Sequence, residues 1–385
     1  MDDRMKQRRY RIGLVGLFVL ALSGGVTGLG ATEVDDWMQR FEAGVKAREA
    51  AHYTEAEPLL SQVLREAEQA GDEGGRVALA ANSLGLLYHD QGRLAEAESL
   101  YTRALGIWEA QLGPEHEDVA AALNNLAEIA HARGEWAAAE PLYERVLAIE
   151  RKTLGAAHPD VAISLNNLAE LYRKQGRETA AESSYHLALT LMEQAHGPDH
   201  AELGPVLNNL AALYKSRRLY AWAEPLYERA LKVRRLGFGN DHPAVAMGLN
   251  NAACLYQDAG SYAAAQRLFD EALAIAERVS GPQASLTGTI VGNMAYLADE
   301  QGLAMQAQLL YQRALVIQQQ QLGVHHPTVG LLAERYAHVL EVLGQPVEAG
   351  LFAARAASIR ARVQSEAVKQ GAGRRLGPTV GEVRR

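Results

Sequence analysis

The segment Leu123-Asn124-Asn125-Leu126-Ala127 recurs every 42 residues, and this period constrains the chain more than any other feature. Stepping forward gives Leu165-Asn166-Asn167-Leu168-Ala169, Leu207-Asn208-Asn209-Leu210-Ala211 and Leu249-Asn250-Asn251-Ala252-Ala253. Further steps give Val291-Gly292-Asn293-Met294-Ala295 and a worn copy at 333–337, and one step back gives Ala81-Asn82-Ser83-Leu84-Gly85. These seven copies need no insertion or deletion, and an eighth, degenerate copy fits at 41–64. Strict self-similarity at such a period marks stacked supersecondary units rather than a compact domain.

Each position in the register has a mechanical reason. Leu165, Leu168, Ala169 and Tyr172 form one apolar face at helical spacing, and Ala181, Tyr185, Ala188 and Leu189 form a second. Between the two faces stands a Gly (Gly92, Gly134, Gly176, Gly260, Gly302, Gly344), replaced once by Arg218. A glycine ends a helix by turning the chain through a left-handed conformation at no steric cost. Ala97, Ala139, Ala181, Ala223, Ala265, Ala307 and Ala349 let helix backbones approach closely, with a Tyr or Phe four residues later, as far as Tyr311, to fill the gap. Pro141 and Pro225 are expected near the start of the second helix, where few amide donors are lost. One repeat is thus a helical hairpin that buries its faces only against its neighbours.

The motifs LNNLAELYRKQGR at 165–177, EPLYERVLAIE at 140–150 and LGAAHPDVA at 154–162 resemble tetratricopeptide repeats of the 42-residue kind found in kinesin light chains. The resemblance covers about residues 38–360. It implies an all-α, right-handed superhelical solenoid of antiparallel helix pairs, with seven to eight repeats. It also implies a scaffold that binds a partner peptide or protein segment in a concave groove lined by the first helices. Motor-linked transport does not follow. The last repeat, which has lost both Asn and Tyr, is expected to be a polar terminal cap.

In related repeats the second Asn of the pair faces the groove and bonds the backbone of a bound peptide. By resemblance this role falls to Asn125, Asn167, Asn209, Asn251 and Asn293. Helix layers stack roughly 10 Å apart, and an extended strand advances about 3.3 Å per residue, so one amide would meet every third ligand residue. The alternative is that one Asn of each pair bonds a neighbouring helix or caps a turn. A second groove-facing row, His89, His131, Arg173, Lys215, Gln257, Asp299 and Glu341, runs from basic or titratable to acidic. Such a gradient would orient a ligand by charge, unless it is a solvated face ordered by chance. His131, Arg173 and Lys215 are the members assigned to the groove.

His116, His158, His200, His242 and His326 also keep the register, but members of a ladder one layer apart cannot share an ion whose ligands must lie about 2 Å away. They are expected to cap or brace the turns between repeats. His196 and His200 flank Gly197-Pro198, so they are not expected to share a helical face, and no metal site is assigned. Phosphate-loop, serine-hydrolase and zinc-protease motifs are absent, and Cys254, the single cysteine, reads as a small filler in a first helix. The expectation is a non-enzyme without cofactors. A net charge of −8 disfavours a nucleic-acid partner.

The ends depart from the repeat. Residues 1–30 combine a basic start (Arg4, Lys6, Arg8, Arg9, Arg11), an uncharged apolar stretch and a small-residue exit, the pattern of an export signal. Left uncleaved, the 19 charge-free residues from Ile12 to Gly30 would instead be an inner-membrane anchor. Either way the repeats lie outside the cytoplasm, periplasmic or secreted if the signal is removed. Residues 361–385 read as a basic, disordered tail. Two rival functions remain at this point: a membrane-tethered envelope assembly factor, and a groove binding a small molecule or carbohydrate beside a partner enzyme.

Overall fold

The computed structural model describes residues 31–50, 52–71 and 74–374. The expected export signal at 1–30, and positions 375–385 of the expected tail, lie outside the described residues. Contacts divide the chain into two compact units that meet between Ala195 and His196.

The first unit runs through α1 (Ala31–Glu49), α2 (Tyr53–Gln69), α3 (Gly75–Asp90), α4 (Leu94–Leu112), α5 (Glu117–Ala132), α6 (Trp136–Thr153), α7 (Pro159–Lys174) and α8 (Glu178–His196). The second opens at His196, the last residue of α8, with a 3-10 turn at Ala201–Leu203. It continues through α9 (Gly204–Ser216), α10 (Tyr220–Phe238), α11 (Pro243–Asp258), α12 (Tyr262–Val279), α13 (Ser285–Glu300), α14 (Ala304–Leu322), α15 (Pro327–Val342) and α16 (Pro346–Arg374). No strand occurs among the described residues. Among the described residues, odd-numbered first helices pair with even-numbered second helices as hairpins, so the fold is the all-α repeat solenoid that the period predicts. The degenerate first copy is a full hairpin: Trp37 stacks on Phe41 with ring centroids 5.3 Å apart, and its indole Nε1 donates to the Val63 carbonyl at 2.9 Å.

The turn glycines adopt the left-handed backbone, with φ of 74° at Gly134 and 73° at Gly176. Arg218 takes the same conformation, at φ 57°, as the single non-glycine with positive φ among the described residues. Behind each turn, Ala97, Ala139, Ala181, Ala223, Ala265 and Ala307 are fully buried, and Tyr101, Tyr143, Tyr185, Phe269 and Tyr311 fill the hairpin cores. Pro141 and Pro225 lie deeper than expected, at the sixth residue of α6 and α10. Both are exposed, which leaves water to satisfy the one carbonyl that each proline deprives of a donor. Ion pairs such as Arg133–Glu98 (2.6 Å) and Arg235–Glu271 (2.6 Å) join neighbouring layers. The more exposed of the two, Arg235–Glu271, contributes about 0–1 kcal/mol.

Two expectations about the C-terminal end need correction. The last helix continues to Arg374, so residues 361–374 are helical rather than disordered. Ala, Arg, Glu, Gln and Lys dominate that stretch, and extending an already packed helix avoids the cost of a new nucleus. Nor is the terminal cap polar. Met305 and Leu309 of α14, and Val347 and Leu351 one period later on α16, are each at least two-thirds exposed.

Candidate functional site

Within each unit the first helices converge. α1 touches α3 and α3 touches α5, while α9, α11, α13 and α15 touch in sequence, with no comparable approach between successive second helices among the described residues. Layers that converge on one side enclose that side, so the first helices line the inner face where the asparagine doublets stand.

The doublets form an amide ladder. Asn125 Nδ2 donates to Asn82 Oδ1 at 3.0 Å, and Asn167 Nδ2 donates to Asn124 Oδ1 at 3.3 Å. In the second unit Asn251 donates to Asn208 at 2.7 Å, and Asn293 donates to Asn250 at 2.8 Å. The second Asn of one repeat thus bonds the first Asn of the repeat before it. Asn125 is buried, at 4% exposure, and cannot serve as the groove contact expected of it. Its amide is engaged by Asn82 of the preceding layer in a buried hydrogen bond. Asn167, Asn209, Asn251 and Asn293 are half-buried. A primary amide carries two N–H donors and a carbonyl with two lone pairs. At Asn167 and Asn293 the ladder bond accounts for one donor; Asn251 also accepts from Asn250 Nδ2 at 3.3 Å. The doublet itself was the signal for this arrangement. The copy at Asn82-Ser83 keeps only the acceptor position, and the copy at Gly292-Asn293 keeps only the donor, as the two ends of a ladder require.

The charged row is largely paired. Arg173 binds Glu170 through Nε at 2.8 Å and Nη2 at 2.5 Å, and Glu170 also accepts from Tyr185 Oη at 2.8 Å. Burial pushes the Glu170 carboxyl up, but Arg173 and Tyr185 outweigh it and hold the group below its ordinary range. Lys215 reaches Asp258 of the next repeat at 3.0 Å, and buried Gln257 donates to Glu300 at 2.7 Å. His131 is half-buried, and burial lowers its pKa. With Arg173 and Lys215 each facing an acid, the expected charge gradient is blunted at its basic members.

The register histidines cap helices. Nδ1 of His116, His158, His200, His242 and His326 accepts from the backbone N–H two residues on, at 3.1–3.3 Å. An acceptor at Nδ1 places the proton of the neutral ring on Nε2. His196 ends α8 and His200 precedes the 3-10 turn, so they share no helical face, yet their rings stack at 4.8 Å across the turn at Gly197 (φ 84°). Together with Glu202 they are one group among the described residues whose ligand atoms could meet one metal ion. Cys254 is a free thiol packed against the α11–α13 core, and burial pushes it up to about 11, as befits an unreactive filler.

Converging helical hairpins with a patterned polar inner face define a repeat scaffold for protein–protein interaction. The chain belongs to the tetratricopeptide repeat family, whose model matches residues 43–110, 76–152, 118–189, 160–235, 206–278 and 245–315 in overlapping windows. Members of this family are generally not enzymes. No curated protein matches the chain. Among solved structures, a putative kinesin light chain from Podospora anserina with nearly identical repeats is 25% identical, covering 52% of this chain and 95% of its own, with a TM-score of 0.45. A tetratricopeptide repeat protein from Parabacteroides merdae is 19% identical over 77% of this chain and 97% of its own, with a TM-score of 0.51. A Rap protein complexed with competence and sporulation factor is 14% identical over 86% of this chain and 99% of its own, with a TM-score of 0.53. The last two likenesses are likenesses of fold.

Proposed function

We propose that the inner face of the first helices of each unit binds an extended segment of a partner protein, reading its backbone through the amide of Asn167 in the first unit and those of Asn251 and Asn293 in the second. The observation that carries this reading is the ladder. It holds the amides of Asn167, Asn251 and Asn293 in place while these residues stay half-buried rather than closed off. A preoriented amide loses little side-chain entropy when it meets a ligand. The Rap protein of similar fold, complexed with competence and sporulation factor, supports the same use of such a scaffold.

The basic start and apolar stretch of residues 1–30 support export of the scaffold, with partners outside the cytoplasm. Among the described residues no helix is long and apolar enough to cross a membrane, so a tether would have to come from outside them. Intact mass of the exported chain distinguishes release from tethering: loss of residues 1–30 excludes the anchor.

The groove reading is tested with peptides selected on the full chain from a random displayed library and measured by fluorescence polarisation. Changing Asn167, Asn251 and Asn293 together to Ala should weaken binding at least tenfold while the helical circular-dichroism signal persists. Equal affinity in a folded triple variant, or failure to select any saturable peptide, overturns it.

A further inference from the structure

In the repeat register, position 196 corresponds to Leu112, Leu154, Phe238 and Leu322, residues that lead from the second helix into the turn before the capping histidine. At Phe238 the packing role is explicit, since its ring stacks on His242 at 4.5 Å with 13° between the planes. At position 196 the stacking is kept, at 4.8 Å and 21°, but the ring is an imidazole. Packing alone would be served by the Leu or Phe used elsewhere. What the histidine adds is a nitrogen, and that nitrogen, Nε2, lies 3.0 Å from Glu202 Oε2. Both atoms are screened from solvent. Acids also follow the cap at Asp118 and Asp160, but only this repeat combines the acid with a second histidine.

We infer that His196, His200 and Glu202 form a binding site for a divalent transition-metal ion of the Zn²⁺ class. Two imidazoles and one carboxylate are a zinc donor set, with a fourth position left for water. Hard cations such as Mg²⁺ and Ca²⁺ prefer oxygen ligands throughout. Tetrahedral Zn²⁺ with bonds near 2.0 Å sets its ligand atoms about 3.3 Å apart. The 3.0 Å separation of His196 and Glu202 already suits that spacing, and all three ligand atoms lie within 4.8 Å of one another. A shift of about 1.5 Å by His200 therefore completes the set. To coordinate, His200 must give up its cap, since Nδ1 now accepts from the Glu202 N–H and binding through Nε2 would move the ring proton onto Nδ1. The bound ion would tie the end of α8 to the 3-10 turn and fix the 196–202 loop.

Co²⁺ added to the full chain should give tetrahedral absorption bands that saturate at one equivalent, and Zn²⁺ should abolish them by displacement. Isothermal titration with Zn²⁺ should give the same stoichiometry and raise the melting temperature. His196→Leu restores the residue found at 112, 154 and 322, and should weaken Zn²⁺ binding at least tenfold. Glu202→Gln keeps the backbone N–H that His200 caps and should weaken binding similarly, which carries the test should the first variant fold poorly. Absence of saturable one-to-one binding, or wild-type affinity in a folded variant of either kind, overturns the site.

Discussion

Asn293 donates its side-chain amide to the carbonyl oxygen of Asn250 at 2.8 Å, although 43 residues separate them. A repeat of 42 residues places equivalent atoms one layer apart, and the extra residue shifts the pairing from the second Asn of one copy to the first Asn of the copy before. The doublet is therefore a donor and an acceptor that face opposite neighbours. This also separates two roles that a single conserved-looking motif would merge: holding the layers together and presenting amides to the inner face.

Removing one rung should be measurable as stability. Asn293→Ala leaves the Asn250 carbonyl without this donor and should destabilise the second unit by about 1 kcal/mol. A double-mutant cycle with Asn250→Ala in urea unfolding should return a coupling of about 0.5–1.5 kcal/mol, less any part due to the Asn250–Asn251 bond. Strict additivity of the two changes would show that the rung contributes nothing in solution.

Much of this architecture was legible before any coordinates. Helix pairing, glycine turns and histidine caps all follow from local chemistry that repeats, with the turn glycine present in six copies and the capping histidine in five. What stayed hidden depends on contacts between layers. Asn125 is buried by the neighbouring repeat, and Lys215 and Gln257 are engaged by Asp258 and Glu300, each 43 residues on. The approach of His196 to His200 required the backbone reversal at Gly197, which spacing along an ideal helix cannot reveal. The exposed apolar residues at 305, 309, 347 and 351 were visible as letters but not as surface, because burial of a second-helix position depends on which way the hairpin is turned.

Arg218 occupies a turn position that the other repeats give to glycine, with φ at 57°. A side chain in the left-handed region costs roughly 1–2 kcal/mol, partly offset by the smaller backbone freedom it had when unfolded. Arg218→Gly should therefore stabilise the second unit by about 0.5–1 kcal/mol, read as a rise in urea midpoint. The side chain is exposed, so little packing is lost. A lower midpoint would mean that the guanidinium makes a stabilising contact.

Glu150, near the end of α6, has its carboxyl pushed up to about 8, mainly by burial, with Ser164 opposing the shift and Asp160 adding to it. The folded state holds this proton where the unfolded state has lost it. Its stabilising contribution is therefore complete below the unfolded carboxyl pKa and is lost as pH rises through about 8. Glu150→Gln cannot ionise. Relative to wild type it should gain about 1 kcal/mol per pH unit between roughly pH 5 and 8, followed by urea melts at pH 5, 7 and 9. Parallel curves for the two proteins would place the Glu150 carboxylate in water.

His326 titrates in the opposite sense. Its Nδ1 accepts the Thr328 N–H at 3.2 Å at the start of α15, and burial lowers its pKa. The unfolded state therefore takes up the proton first as pH falls. The cap's contribution is fully present above the unfolded pKa of about 6.5 and is lost as pH drops through the folded value below it. Protonation puts hydrogen on the atom that must accept, so the bond is lost together with the charge balance. A full cap contributes about 1 kcal/mol, but this ring is half-open to solvent, which reduces the pH-dependent part to about 0.5 kcal/mol. His326→Asn caps through an amide oxygen that does not titrate. Between pH 7.5 and 5.5 wild type should lose about that much more stability than the variant, measured by thermal unfolding at closely spaced pH values. If both proteins lose equal stability over this interval, Nδ1 of His326 is not the acceptor that holds the first turn of α15.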